Sequence, residues 1–157
     1  MTEVQSPREA QPNDVELLIE MMAEFYAEAS YPLNRVHARQ AFEGLLNNSA
    51  LGSVWILQKG AEAAGYLVLT LTYSMEYGGL AAFIDDLYVR PEHRGQGIGY
   101  RGMEAIRQHA AGLGVRAIHL EVGADNARAQ SLYRKAGFVP TGRQLLTLQL
   151  ASPTHLL

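Results

Sequence analysis

A chain of 157 residues, 48 % apolar and 18 % charged, is long enough for one domain with its own core and too balanced for a disordered segment. Its 13 Lys and Arg against 16 Asp and Glu give a net charge of −3, which lacks the concentrated basic surface of a nucleic-acid binder and mildly suits a cationic substrate. The absence of cysteine excludes disulfides, a thiolate nucleophile and zinc–cysteine centres.

Met1 to Pro12 is polar with no apolar signal core, and no run approaches the roughly eighteen apolar residues of a membrane span. The expectation is a cytoplasmic protein without a membrane partner. Asn13 or Asp14 can cap a first helix in which Val15, Leu18, Ile19, Met22, Phe25 or Tyr26, and Ala29 recur at helical spacing. Its other side carries Glu16, Glu20, Glu24 and Glu28, four apart, a repulsive arrangement in an isolated helix that reads as a solvated face. Tyr31-Pro32 breaks the helix, and a second runs from Asn34 to Leu46.

Ser53–Gln58 and Ala64–Thr72 are rich in β-branched and aromatic residues, with a polar hairpin between them. Tyr77-Gly78-Gly79 turns the chain into a third strand, Ala81–Val89. A helix from Gly97 to Ala111, a strand from Val115 to Val122, a helix from Asn126 to Ala136 and a final strand from Phe138 through Leu150 follow. Gly137 stands where a left-handed helix stop belongs. The order predicts an α+β sandwich of a mixed, mostly antiparallel sheet with helices, occupying 1–157 as a single domain, with a frayed tail after Ala151.

The most informative stretch joins Val89 to the following helix, where Gly95, Gly97 and Gly99 crowd into five residues. Without β-carbons, several backbone N–H groups there can face one concavity at the positive end of a helix, a place that attracts phosphate. Gly97-x-Gly99-x-x-Gly102 with Glu121 downstream also satisfies a dinucleotide fingerprint. That fold needs its glycines directly after the strand and further strand–helix units behind them; seven residues separate Val89 from Gly97 and only two strands follow. A Walker loop fails for want of Gly-Lys-Ser or Gly-Lys-Thr.

Arg94-x-x-Gly97-x-Gly99, preceded by Leu87-Tyr88-Val89-Arg90-Pro91-Glu92, resembles the acyl-CoA pyrophosphate loop of the GCN5-related N-acetyltransferase (GNAT) superfamily. Glu121-Val122 followed by Asn126, Ala129, Leu132-Tyr133 and Gly137-Phe138 resembles its second signature. The two cover about 81–140. The resemblance implies the acyl-CoA N-acyltransferase fold, acetyl-CoA as co-substrate, no metal, and direct acetyl transfer to a primary amine of a small molecule such as a polyamine, amino sugar or aminoglycoside. A protein N-terminus or lysine as acceptor and a non-catalytic acyl-CoA-binding module are the alternatives.

It further implies that backbone groups of Leu87, Tyr88 and Val89 hold the pantetheine arm, that Arg94, Gly95, Gln96, Gly97, Ile98 and Gly99 carry the pyrophosphate, and that Arg128 or Lys135 reaches the 3′-phosphate. Asn126 would fix the coenzyme or cap its helix. Tyr133 matches the family tyrosine that protonates the coenzyme thiolate, a role open to a phenol that stays protonated at neutral pH. Relatives carry a Glu-Asp pair where this chain has Asp85-Asp86, and by position Asp85 is the base; the shorter side chain leaves Asp86 or a water relay open. In a regular strand the two carboxylates project to opposite faces, and one of them could instead anchor the Gly78-Gly79 hairpin.

Tyr26 and Tyr31 at the first helix break, with Glu76 and Tyr77 beside the hairpin, are candidate acceptor contacts. His93, His109 and His119 show no metal or triad pattern and read as scattered, satisfied histidines. Leu146, Leu148 and Leu150 alternate as a strand, suited to the core or to the homodimer interface that the resemblance suggests.

Overall fold

The computed structural model describes residues 5–151. A short strand β1 (Arg8–Glu9), not anticipated from the sequence, is followed by helices α1 (Val15–Glu28) and α2 (Arg35–Leu46), then by the long strands β2 (Gly52–Lys59), β3 (Glu62–Ser74) and β4 (Gly79–Val89). Helix α3 (Ile98–Gly112), a two-residue strand β5 (Ile118–His119) and helix α4 (Ala127–Lys135) complete the order. The sheet runs β1-β2-β3-β4-β5, antiparallel except for the parallel β4–β5 pair. No described helix is long and apolar enough to cross a membrane.

Alternation, interrupted at two bulges, splits the buried sheet between two helical layers. Val54, Ile56, Tyr66, Val68 and Tyr88 pack under α1 and α2 against Leu18, Ile19, Ala38 and Phe42. Leu57, Leu67, Leu69, Ala82 and Ile84 pack on the other face against Ile98, Met103 and Ile106 of α3. Gly65 is required by close approach, because a Cβ there would lie 2.0 Å from the carbonyl oxygen of Tyr88 across the β3–β4 ladder.

Asp14 precedes α1, but its carboxylate is not a helix cap. It is held by Arg8 through two bonds of 2.8 Å and by the Gln11 N–H at 2.8 Å, and Arg8 keeps it below the usual carboxylate range. Asn34 does cap α2, accepting from the His37 N–H at 3.0 Å.

Two expectations fail at the far edge of the sheet. The strand expected over Val115–Val122 forms only over Ile118–His119, in register with Ala82 and Phe83, because β5 leaves β4 beyond Phe83. The final strand expected from Phe138 through Leu150 does not form. Leu146, Leu148 and Leu150 are 86 %, 85 % and 94 % exposed and line no core: without a ladder partner, alternation alone cannot seat them. The tail beyond Ala151 lies outside the described residues.

Candidate active site

Divergence of β5 from β4 is what makes the site. From Ile84 onward β4 is paired with β3 and has no β5 partner among the described residues, so its free edge opens on a cleft of about 320 Å³ lined by Leu87, Tyr88 and Val89. Beyond Val89 the chain makes a 3-10 turn over Pro91–His93 and reaches Gly95 and Gly97, both left-handed at φ 74° and 80°, a conformation costly for any residue with a β-carbon. Nothing lies within 4 Å of where a Cβ at either glycine would sit, so open space faces the loop backbone.

Gly97 is the N-cap of α3, and its carbonyl accepts from Arg101 N–H at 3.0 Å. The amides of Ile98, Gly99 and Tyr100 precede that bond and have no acceptor inside the helix. They are concentrated at the positive end of the helix dipole, beside Arg94, Arg128 and Lys135 on the cleft wall. A bare, donor-rich concavity with three cations suits a diphosphate.

The opposite wall is α4. Asn126 both lines the cleft and caps the helix, its Oδ1 accepting from the Ala129 N–H at 3.2 Å. Tyr133 reaches the cleft from the same helix, and burial holds its phenol above the ordinary value, so it keeps its proton at neutral pH.

The acids sit at an irregularity of β4. Val68 pairs with Asp86 and Leu69 with Ile84, leaving Asp85 as the extra residue of a β-bulge. Ile84 and Leu87 consequently both pack on the α3 face. The regular alternation expected of Asp85 and Asp86 is thereby corrected: the bulge interrupts it, and Asp86 turns to Tyr66 on the α1 face. Asp86 accepts from the Tyr66 O–H at 2.9 Å, whereas Asp85 is exposed. Burial pushes the Asp86 carboxyl up to about 6; the Tyr66 bond lowers it and the Asp85 charge raises it. Neither acid anchors the hairpin, whose turn is held by Ser74 through bonds from the Gly78 and Tyr77 N–H groups at 2.9 and 3.1 Å.

The sequence profile of the acetyltransferase (GNAT) family matches residues 16–138. The chain belongs to that family. Among solved structures, an integron cassette protein from the mobile metagenome of Cole Harbour Salt Marsh is 43 % identical with a TM-score of 0.88, over 96 % of this chain and 93 % of that one. An aminoglycoside N-acetyltransferase in complex with CoA shares the fold at a TM-score of 0.79 and 15 % identity, over 93 % of this chain and 95 % of its own. The thialysine N-epsilon-acetyltransferase of Bos taurus is 34 % identical over 79 residues, 50 % of this chain and 46 % of that protein. The chain therefore spans about half the length of that curated relative.

In this GNAT chain the structure assembles some sequence candidates and separates others. Tyr26 belongs with the acids: its phenol is raised by burial and then by the charges of Asp86 and Asp85. Tyr31 meets Tyr26 edge-on at 6.5 Å and is 59 % exposed. Glu76 and Tyr77 stand elsewhere. Glu76 is taken by Arg143 in two bonds of 2.8 and 3.1 Å, and Tyr77 lies 5.8 Å from His119 on a separate hollow of about 390 Å³. Gln96 does not line the cleft; its side chain bonds Lys59 and the Glu92 carbonyl.

The acidic stripe of α1 is not simply solvated. Glu24 accepts from Arg90 Nε and Nη2, both at 3.0 Å, and from the Tyr88 O–H at 3.2 Å. Glu28 takes Arg94 Nη2 at 2.6 Å, while Arg94 Nε donates to the Val89 carbonyl at 2.8 Å. Burial and the Glu24 charge push the Tyr88 phenol up to about 12. The matched four-residue spacing of Glu24/Glu28 and Arg90/Arg94 was visible, but a pairing across 66 positions follows no local rule. His93 is also not a plain satisfied histidine: Nε2 lies 3.2 Å from Glu62 and buried Nδ1 has no partner.

Proposed function

We propose that this chain transfers an acetyl group from acetyl-CoA to a primary amine of a small molecule, with Asp86 as the base and Tyr133 as the acid. The observation that carries the reading is the cleft itself, which joins the unpaired loop amides, the free edge of β4 and the Tyr133 phenol in one continuous hollow. The bare left-handed glycines and the flanking cations fit a coenzyme diphosphate. Coenzyme bound to the distant aminoglycoside N-acetyltransferase of the same fold supports the same choice of donor.

Acetyl-CoA supplies the thioester carbonyl that the amine attacks. The loop amides of Ile98 and Gly99 with Arg94 hold the diphosphate, and Leu87 to Val89 hold the pantetheine arm along the unpaired edge of β4. Above about 6 the Asp86 carboxylate is ionised and accepts the proton that the acceptor ammonium must lose before its nitrogen is nucleophilic. Tyr133 holds a proton at its phenol oxygen for the coenzyme sulfur. Asp86, half-buried and bonded to Tyr66, displaces the exposed Asp85 as the base.

A cationic small molecule suits the paired acids and the aromatic rings of Tyr26 and Tyr31. Thialysine acetylation by the Bos taurus relative supports an amine on a flexible chain. The test is a screen of polyamines, lysine analogues, amino sugars, aminoglycosides and peptides with acetyl-CoA, following thiol release. Turnover with at least one small amine is expected; turnover with peptides alone would overturn the acceptor class. A thermal shift with CoA but not with NAD or ATP checks the donor.

A further inference from the structure

We propose that Tyr66 is a positioning residue for acetyl transfer: by donating its phenol proton to Asp86 Oδ2 at 2.9 Å, it leaves the other carboxylate oxygen to meet the acceptor amine. The inference rests on the reading of Asp86 as the base.

Tyr66 pairs with Tyr88 and Val68 pairs with Asp86, so Tyr66 and Asp86 are diagonal neighbours on one face of the ladder, a separation that an aromatic side chain can span. The ring is fully buried, edge-on to Phe42 at 5.9 Å and tilted against Tyr88 at 6.3 Å. Those contacts hold the phenol on a fixed line. Phenylalanine would make the same ring contacts, so the core does not require the hydroxyl; the carboxylate does, because an ionised oxygen withdrawn from water needs a donor. The bulge at Asp85 turns Asp86 into this position.

Titratable groups meet Asp86 from three elements. Tyr66 comes from β3, Asp85 from β4 itself, and Tyr26 of α1 interacts with both carboxylates. Burial and Asp85 push the Asp86 carboxyl up while the Tyr66 bond pulls it down, leaving it at about 6. Loss of the hydroxyl removes the lowering influence alone.

The test is a carbon-13 NMR titration of the Asp86 carboxyl in the full chain, assigned with Asp86→Asn, together with pH profiles of transfer from acetyl-CoA to the best amine of the screen. In Tyr66→Phe the Asp86 midpoint moves above its parental value, the acid limb of kcat/KM follows it, and kcat falls about tenfold or more, with KM for acetyl-CoA unchanged. Replacement of Tyr66 by 3,5-difluorotyrosine, a more acidic phenol of nearly the same shape, moves the midpoint the other way and serves if Tyr66→Phe does not fold. On an Asp86→Asn background Tyr66→Phe causes no further loss. Loss of activity in Asp86→Asn with an unmoved midpoint in the Tyr66 variants would overturn the positioning role alone. Parental turnover in Asp86→Asn would overturn the base assignment and this inference with it.

Discussion

Glu28 of α1 and Arg94 of the glycine loop form an ion pair of 2.6 Å on the wall of the cleft that would receive a diphosphate. The pair joins the helix carrying Tyr26 to the loop at the head of α3, and it places a carboxylate where an anion must bind. Arg94 thus has a carboxylate partner before any coenzyme arrives.

Glu28→Gln should tighten coenzyme binding, since the guanidinium then meets the diphosphate without a competing charge. A fall in the CoA Kd of about two- to tenfold at low salt, shrinking as ionic strength rises, is the expected size for a partly exposed pair. Calorimetric titration at two salt concentrations measures it. Weaker binding in the variant would mean that Glu28 serves chiefly to orient Arg94.

Gly97→Val adds a branched side chain at φ 80°, into space that is now open. The left-handed conformation costs roughly 1–2 kcal/mol or more for such a residue, and the added methyls occupy the phosphate concavity. A lower melting temperature and loss of the CoA-induced shift are expected together, by differential scanning fluorimetry. A retained shift would remove the loop from the coenzyme site.

Tyr133→Phe should leave CoA affinity within about twofold while lowering kcat by about a hundredfold, the usual scale of a lost proton donor. Steady-state kinetics with a CoA titration separate the two. Equal losses in kcat/KM and CoA affinity would make Tyr133 a binding residue instead.

Asp86→Asn should stabilise the protein above neutral pH. The carboxyl holds its proton up to about 6 when folded and only to about 3.9 when unfolded. Its favourable contribution is therefore complete below the unfolded value and is lost as pH rises through about 6. Asparagine keeps an acceptor for Tyr66 and carries no charge, so the variant should gain on the order of 2–3 kcal/mol at pH 8 and little below pH 4. Urea melts at both values measure the difference; equal stability of parent and variant at pH 8 would contradict the burial argument. On the proposed role of Asp86, activity and stability would be opposed at this residue, as is common where a poorly solvated charge does chemistry.

Much of the fold was legible because it rests on local patterns. The periodicity of Val15, Leu18 and Ile19, the strand runs ending at Gln58 and Val89, the Asn34 start of the second helix, the Asn126 cap and the Gly97 start of α3 all lie within a few residues of where they were expected. The expected strand from Phe138 to Leu150 failed for want of a neighbour. Alternating leucines state what a strand would bury, and β5 supplies too short a ladder to pair with them.

The candidate site divides the same way. Its glycine loop and Tyr133 each sit in a short local motif, so the sequence alone sufficed to mark them as candidates, and the fold lines one cleft with both. Which carboxylate turns inward to Tyr66 was decided only in three dimensions, where a one-residue bulge between Ile84 and Asp86 breaks the alternation of the strand. The partners of Glu24, Glu28 and Asp86 were likewise set by the stacking of α1 and β3 against β4. Charge pairing depends on distance in space, and residues far apart in the chain acquire that distance only when the layers pack.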